Sequence, residues 1–211
     1  MQASPELAKL REALAPDWER LTPSCTADVL HALKQSIPTE ETFAVLDYGC
    51  LTGRLCRFLK HHLPDIHVDG IDVSGGMIEQ ARRNCPDATF YLGRQTDWRA
   101  GRYDVIVSKD LLNNLSNIPA TLERFHYLLR PQGTIIIALR DIIPGRVEQV
   151  VNTLNTMLYS VSFERLPWQV PAEQLDAIDA AVEELSAEHR AWARDCVHKP
   201  GDYCIITARR D

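Results

Sequence analysis

Compact apolar runs alternate with segments of helical spacing along the middle of the chain, and this alternation restricts the fold more than any other feature. The apolar runs are FAVLDYG, HVDGID, ATFYLG, YDVIVS and GTIIIAL. Between them apolar residues recur at helical intervals, as at Leu122, Phe125 and Leu129. Such an alternation indicates an α/β fold, in which a largely parallel sheet carries helices on both faces.

The flanks of this region have different patterns. Leucine spacing predicts short helices near residues 7–14 and 29–33. After the last apolar run come two helical stretches, residues 147–158 and 173–185, joined by the connection FERLPWQVP. The turn signal KPGD then predicts a terminal hairpin formed by RAWARDCV and DYCIITARR.

These patterns predict a single domain, residues 1–211, with four parts. N-terminal helices occupy 1–40, and a core that would bind a cofactor occupies 43–139. A helical region at 142–190 would form a lid and acceptor site, and the terminal hairpin occupies 192–209.

Composition excludes several classes of protein. The chain is 45% hydrophobic and 25% charged, as in soluble globular proteins, and its net charge of −6 disfavours a nucleic-acid or anionic-membrane surface. The 6 cysteines show neither a CxxC pair nor zinc-ligand spacing, so buried thiols are expected and no metal site. The N-terminal stretch lacks a signal-peptide pattern, and the run Ile135–Leu139 is too short to span a bilayer. A cytoplasmic protein without membrane contact is therefore expected.

The segment VLDYGCLTGRL combines a buried strand, a glycine-rich turn and the start of a helix. At Gly49 and Gly53 the missing side chains would let a ligand approach the backbone and the first N–H groups of the helix. Asp72 ends the next strand roughly 20 residues later, where a carboxylate can accept both hydroxyls of a ribose. The turn by itself is also consistent with close packing, and Asp72 with a helix cap.

Several segments resemble one family, the class I S-adenosylmethionine-dependent methyltransferases. VLDYGCLTG is similar to the family pattern VLDxGCGxG, and GIDVSGGMIEQAR, YDVIVSKDLLNNL and LLRPQGTIII resemble its second, fourth and fifth strand segments in the same order. The ending DYCIITARR suits its seventh strand. The resemblance covers residues 43–139. It implies a doubly wound, mostly parallel seven-stranded sheet with a terminal antiparallel hairpin, a helical N-terminal extension and a helical insertion after the fifth strand.

The resemblance implies S-adenosylmethionine as cofactor and assigns residues to its parts. Asp47, Gly49 and Cys50 would surround the methionine end, with Gly53 in the same turn. Asp72 would bind the ribose.

The adenine and the sulfur would be held by a second group of residues. Val73 would cover one adenine face, Asp97 would accept from the adenine amino group, and Trp98 would offer its backbone N–H or an apolar wall. Ser108 would lie beside the methyl-bearing sulfur. Asp97 is also consistent with a loop turn, and Trp98 with a core side chain.

One position departs from the family pattern, because Leu51 stands where the family usually has glycine. A leucine adopts positive φ only at a cost and adds bulk where cofactor and backbone should nearly touch. We expect the backbone to have adapted, with a small loss of affinity.

Candidate catalytic residues follow the fourth and fifth strands, where ligands bind in open α/β sheets. They are Lys109, Asp110 and Asp141, with Arg140 beside them. Each is equally consistent with a local ion pair or helix cap. The acceptor pocket is expected from the N-terminal helices and the region after the fifth strand, and its candidate lining residues are Trp18, Met157, Tyr159, Phe163 and Trp168.

The function expected is S-adenosylmethionine-dependent methyl transfer to a small organic acceptor. The alternative is a methyltransferase-like protein that transfers no methyl group, either a partner subunit or a protein with another use for the bound cofactor. A nicotinamide oxidoreductase is less favoured, because GxGxxG is absent. The expected partner is a small molecule rather than nucleic acid or membrane, and a homodimer remains open.

Overall fold

The computed structural model describes residues 5–16, 18–22, 27–37, 43–93, 98, 100–167, 170, 172–187, 189–190 and 201–210. Helices and strands alternate through most of this length. The helices are α1 (Pro5–Leu14), α2 (Trp18–Leu21), α3 (Ala27–Gln35), α4 (Arg54–His62), α5 (Gly75–Asn84), α6 (Ile118–Leu128), α7 (Arg146–Thr156) and α8 (Ala172–Glu183). The strands are β1 (Ala44–Tyr48), β2 (His67–Asp72), β3 (Thr89–Leu92), β4 (Tyr103–Lys109), β5 (Leu129–Arg140), β6 (Tyr159–Leu166) and β7 (Tyr203–Arg210).

The strands form one seven-stranded sheet in the order β3-β2-β1-β4-β5-β7-β6. Strands β1 to β5 are parallel to one another, and β7 is antiparallel to both β5 and β6. The direction of winding reverses between β1 and β4, so a crevice opens at the carboxyl ends of these two strands. The predicted α/β fold with a mostly parallel seven-stranded sheet is confirmed.

Each face of the sheet has its own core because neighbouring residues of a strand point to opposite sides. On β1, Val45 packs with α3, α4 and α5, whereas Leu46 packs with α6 and α7. Both residues are fully buried. Burial on two faces explains why the strands appear in the sequence as continuous apolar runs.

The antiparallel hairpin at the end of the fold is confirmed, but its first strand is β6. Both edges of β7 are occupied, by β5 and by β6, which leaves no edge for RAWARDCV. Most of that segment lies in 191–200, outside the described residues. Strand β6 falls inside the region expected to be a helical insertion. Its signal was the strict polar and apolar alternation of YSVSFE, which is typical of a partly exposed edge strand.

Three helices from the two flanks meet over the carboxyl end of the sheet. Leu14 of α1 and Leu21 of α2 pack with Ile178 and Val182 of α8, in a small core separate from those of the sheet faces. We call α1, α2 and α8 the cap. The third N-terminal helix, α3, packs on the sheet instead, because Val29, Leu30 and Leu33 join the core on that face.

Cys50, Cys56, Cys85 and Cys204 are buried and unbridged, as expected. Among the described residues, no group of three or more His, Cys, Asp or Glu side chains is arranged to hold a metal ion. In the same part of the chain, no helix has both the length and the apolar character needed to cross a membrane.

A buried carboxylate of β2 connects this strand to the start of β4, on the other side of β1. Asp69 has no exposed surface, and its Oδ2 accepts hydrogen bonds from the Tyr103 hydroxyl (2.6 Å) and the Arg102 guanidinium (2.8 Å). Arg102 also lies over the rings of Tyr91 and Trp98, at 5.6 and 5.7 Å from their centroids. This cluster fixes Trp98 and the start of β4.

Tyr103→Phe should destabilise the protein by about 2 kcal/mol, because it removes a hydrogen bond to a buried carboxyl group. The corresponding fall in melting temperature is about 4–8 °C. The matched control is Tyr127→Phe, since Tyr127 is 48% exposed. Equal melting temperatures for the two variants would contradict a stabilising role of the Tyr103 hydroxyl.

Candidate functional site

The turn between β1 and α4 carries three residues in the left-handed region. These are Gly49 (φ +93°), Leu51 (φ +49°) and Gly53 (φ +77°). A Cβ on Gly49 would lie 3.2 Å from Leu111, and one on Gly53 would lie 3.0 Å from Phe90. Glycine is therefore required at both positions by conformation and by space.

Gly53 is the N-cap residue of helix α4, so no side chain caps the helix, and its first turn contains no acidic residue. The first N–H groups of a helix need acceptors and carry the positive end of its dipole. The start of α4 is therefore suited to an anionic ligand group.

Asp72 joins this turn to the next one. Its Oδ2 accepts from the Leu51 N–H (3.2 Å), and its Oδ1 accepts from the Ser74 N–H (3.0 Å). The carboxylate has no exposed surface. Asp72 thus fixes the β1–α4 and β2–α5 turns relative to each other.

Leu51 has the backbone geometry that the family pattern supplies with glycine. Its left-handed conformation costs a leucine roughly 1–2 kcal/mol. This conformation directs the Leu51 N–H at Asp72, to which it donates a hydrogen bond. The turn therefore has the backbone conformation of the family pattern, and the conformational strain lies at Leu51.

Asp47 lies beneath the turn and is only 2% exposed. Burial raises the pKa of Asp47 to about 7, and the charge of Asp72 adds to this rise. The Cys56 thiol, 3.4 Å from Asp47 Oδ2, acts in the opposite direction. Asp47 therefore changes its protonation near neutral pH.

A polar cluster stands at the end of β4. Lys109 pairs with Asp110 Oδ2, and the Tyr203 hydroxyl donates to the same oxygen (2.8 Å). Asp110 has φ +59°, and its Oδ1 is buried without a hydrogen-bond partner. One carboxylate oxygen of Asp110 is thus held in place while the other remains available.

Two glutamates of the cap bind the two turns. Glu12 of α1 accepts from the Ser74 hydroxyl (2.6 Å) and the Gly76 N–H (2.8 Å) at the start of α5. The Ser74 hydrogen bond is the main reason that the pKa of Glu12 is lowered.

Glu19 of α2 binds the other turn. It accepts from Arg54 Nε (2.9 Å) and from the Thr52 hydroxyl. The cap is therefore attached to the same turns that Asp72 connects.

A cavity of about 210 Å³ lies under the cap, at the carboxyl ends of β1 and β4. It is the crevice expected where the winding of the sheet reverses. Its lining residues are Arg11, Trp18, Leu21, Thr22, Leu30, Asp47, Gly49, Cys50, Leu51, Thr52, Arg54, Leu55, Lys109, Asp110, Leu111, Asn113, Asn114, Arg140, Ile142, Val170, Ile178 and Tyr203.

The cavity brings together part of the predicted site. Asp47, Gly49, Cys50, Lys109 and Asp110 line it. Their roles toward a cofactor or an acceptor stay predictions.

Other predicted site residues lie outside the lining. Ser108 is fully buried and donates to the Tyr48 carbonyl (2.9 Å), and Asp141 pairs with Arg165 (2.6 Å). Asp72 is the last residue of β2 and Val73 follows it, beside the cavity, while Gly53 precedes the first residue of α4. Asp97 lies outside the described residues.

Trp98 is a core side chain. It is 6% exposed and packs edge-on against Tyr91, with 5.0 Å between the ring centroids. The ring of Trp98 therefore belongs to the core and does not form a wall for adenine. Its backbone N–H remains as a predicted contact with adenine.

The expected acceptor wall is only partly present. Trp18 lines the cavity, but Tyr159 is in the sheet core and Phe163 is 56% exposed on the edge strand. Met157 packs against the same core as Tyr159, and Trp168 is outside the described residues. Ile142, Val170 and Ile178 provide the wall instead.

Sequence reasoning missed Arg11, Tyr203 and Asn113 in this lining. A signal existed for Arg11, because it continues the helical spacing of Leu7, Leu10 and Leu14 and so falls on the apolar face of α1. Tyr203 and Asn113 had no such signal.

Comparisons with known proteins agree with the fold and the turn. Residues 45–133 match a family described as a methyltransferase domain. Over 106 residues the chain is 30% identical to the trans-aconitate 2-methyltransferase of Methylobacterium radiotolerans, covering 50% of this chain and 41% of that protein. Over 101 residues it is 26% identical to the malonyl-(acyl-carrier protein) O-methyltransferase of Priestia megaterium, covering 46% of this chain and 37% of that protein. The chain thus spans about two fifths of the length of these relatives.

Solved structures are similar in fold at low identity. The 4+2 cyclase SpnF superposes with a TM-score of 0.72 at 17% identity, covering 87% of this chain and 80% of that chain. This likeness shows the fold alone.

Asp47 should make stability depend on pH. In the unfolded chain its carboxyl ionises near 3.8, whereas in the folded protein it keeps its proton until about pH 7. The folded state therefore binds more protons between these values, and the free energy of unfolding falls as pH rises through this range.

Asp47→Asn removes this effect, so its stability relative to the parent protein should be greater at pH 8 than at pH 5. Urea denaturation at both pH values measures the difference. The control is Asp65→Asn, at an exposed loop position. A difference between Asp47→Asn and the parent that is the same at both pH values would exclude the raised pKa.

Proposed function

Because residues 45–133 match a family described as a methyltransferase domain and resemble the class I S-adenosylmethionine-dependent methyltransferases, we propose that this chain transfers the methyl group of S-adenosylmethionine to a small organic acceptor. The observation that carries the proposal is the cavity beneath the cap, at the reversal point of the sheet and against the glycine turn. The names of the two relatives support an acceptor of small or carrier-bound type.

The residues present fit the cofactor. The uncapped start of α4 is suited to the methionine carboxylate, and Gly49 lines the cavity next to it. In this proposal Asp47, Gly49 and Cys50 hold the methionine end. Asp72 holds the ribose.

The adenine would lie beyond Asp72, toward β3. Val73 would cover one face, and Asp97 and the Trp98 N–H would meet its polar edge. Ser108, fixed by its bond to Tyr48, would support the backbone at the end of β4 rather than touch the sulfur with its side chain.

When bound, S-adenosylmethionine supplies an electrophilic methyl group, so the protein's task is to orient an acceptor and exclude water. In this proposal the cap keeps water away from the bound acceptor. Asp110 is the side chain best placed to take a proton from an acceptor, since Tyr203 and Lys109 orient one of its oxygens and the other has no partner. Asp141 is the weaker candidate, because it pairs with Arg165 outside the cavity.

Cofactor binding would require the cap to move. Asp72 is fully buried, and α1 is attached beside it through Glu12. We infer that α1 and α2 leave the two turns to admit the cofactor and return to close the site, as a lid. A cytoplasmic location and a possible homodimer belong to the same proposal.

A second candidate function is cofactor binding without methyl transfer. Leu51 favours it, because a leucine lines the cavity where the family usually has glycine. The two functions differ in whether a methylated product forms.

The test is calorimetry with S-adenosylmethionine, S-adenosylhomocysteine and NAD, followed by incubation of methyl-labelled S-adenosylmethionine with a small-molecule extract. Binding of the first two ligands and transfer of label to an extract component are expected. Binding without transfer would favour the second function, and binding of NAD alone would contradict both.

Asp72→Asn should weaken S-adenosylhomocysteine binding at least tenfold, because it removes a charged acceptor from the ribose hydroxyls. Asparagine keeps one oxygen for the turn, and a melting curve checks that the variant folds. Asp65→Asn is the control for an acid-to-amide change. An affinity within twofold of the parent, in a folded variant, would reject the ribose assignment.

Leu51→Gly should raise the free energy of unfolding by about 1 kcal/mol, because glycine adopts the left-handed conformation without strain. S-adenosylhomocysteine affinity should stay within threefold. Leu158→Gly is the matched control, since Leu158 also has positive φ (62°) but is 81% exposed and away from the cavity. A parent protein that binds no cofactor at millimolar concentration, with binding gained in Leu51→Gly, would show that Leu51 occludes the site.

A further inference from the structure

Arg11 is an unusual residue in the wall of the cavity. It is 5% exposed, and its Nε and Nη1 are buried without a hydrogen-bond partner. An arginine stays charged in a protein, and a buried charge without a partner destabilises the folded state. Arg11 lines the cavity, so a ligand bound there lies next to its side chain.

Other charged groups of the wall do not compensate Arg11. Arg54 is neutralised by Glu19, and Lys109 pairs with Asp110. Asp47 loses much of its negative charge below about pH 7, because burial raises its pKa. The wall of the cavity therefore carries an uncompensated positive charge at Arg11, which a bound anion would neutralise.

The remainder of the wall is largely apolar. Leu21, Leu30, Leu55, Ile142, Val170 and Ile178 contribute aliphatic side chains, and Trp18 adds an aromatic one. A ligand that suits both the apolar wall and the guanidinium has an apolar body and one anionic end.

We propose that Arg11 binds a carboxylate of the methyl acceptor, and that the acceptor is an organic acid with an apolar body. This inference rests on the proposed function. Guanidinium groups bind carboxylates through charge-assisted hydrogen bonds, and the planar donor set gives orientation as well as affinity. Arg11 thus fixes one end of the acceptor in the closed site.

The position of Arg11 favours the acceptor over the cofactor. The cofactor's carboxylate already has a suitable site at the uncapped start of α4, within the matched domain. Arg11 belongs to the cap, which lies outside residues 45–133.

The experiment uses hexanoate and benzoate as probes and their amides, hexanamide and benzamide, as matched neutral ligands. Binding is measured by calorimetry, with and without saturating S-adenosylhomocysteine and at constant ionic strength. The variants are Arg11→Met, which keeps the length of the side chain, and Arg83→Met as control. Arg83 is exposed on α5 and bonds only to Gln80 in the described part of the chain.

The parent protein and Arg83→Met should bind at least one carboxylate in preference to its amide, and Arg11→Met should bind that carboxylate at least tenfold more weakly. Amide binding and S-adenosylhomocysteine affinity should stay within twofold. Without ligand, Arg11→Met should melt higher than the parent, because it removes an uncompensated buried charge; a structural arginine would give the opposite shift.

Two results would overturn the proposal. One is equal carboxylate binding by the parent and Arg11→Met, or no carboxylate preference in the parent. The other is a tenfold loss of S-adenosylhomocysteine affinity in Arg11→Met with unchanged binding of 5′-methylthioadenosine, which lacks the carboxylate; Arg11 would then bind the cofactor. A parent protein that binds no S-adenosylhomocysteine contradicts the proposed function, while the probe measurements without cofactor still test Arg11.

Discussion

The carboxylate of Asp72 holds together the two turns on which the site is built. By accepting hydrogen bonds from the backbone N–H groups of Leu51 and Ser74, it sets the distance between the β1–α4 and β2–α5 turns. The left-handed residues of the first turn, the start of α4 and the start of α5 all take their places from this bridge. The cap then binds the same two turns through Glu12 and Glu19. A single buried acid thus connects the sheet, the two turns and the cap.

Charge is distributed unevenly across the site. At the end of β4, the positive Lys109 and negative Asp110 compensate each other, and Glu19 compensates Arg54 at the glycine turn. The cap, by contrast, contributes Arg11 to the cavity wall, and two guanidinium nitrogens of Arg11 are buried without a hydrogen-bond partner. Stability and function oppose each other at such a position, because the unmatched charge costs folding energy that only a bound anion returns.

The fold could be predicted from the sequence because strands buried on both faces, such as YDVIVS and GTIIIAL, have little alternative to a parallel sheet. Gly49, Lys109 and Asp110 were expected at the crevice because their spacing follows from that fold, and they line the cavity. The hairpin partner was misplaced, since β6 alternates as an exposed edge strand and its neighbours are distant in sequence. Helical spacing puts Arg11 on the apolar face of α1, but only the packing of the cap brings that face to the cavity. Tyr203 reaches the cavity through the insertion of β7, which no local pattern encodes.

Strand β7 lies between β5 and β6 although it follows both in the chain. A polypeptide emerges from the ribosome in sequence order, so β5 and β6 are synthesised before the strand that separates them. Until β7 emerges, each presents an unpaired backbone edge that can pair with another nascent chain. The strand that completes this half of the sheet is therefore its middle strand and the last to be synthesised. Correct assembly depends on the time for which the edges of β5 and β6 stay unpaired before β7 is available.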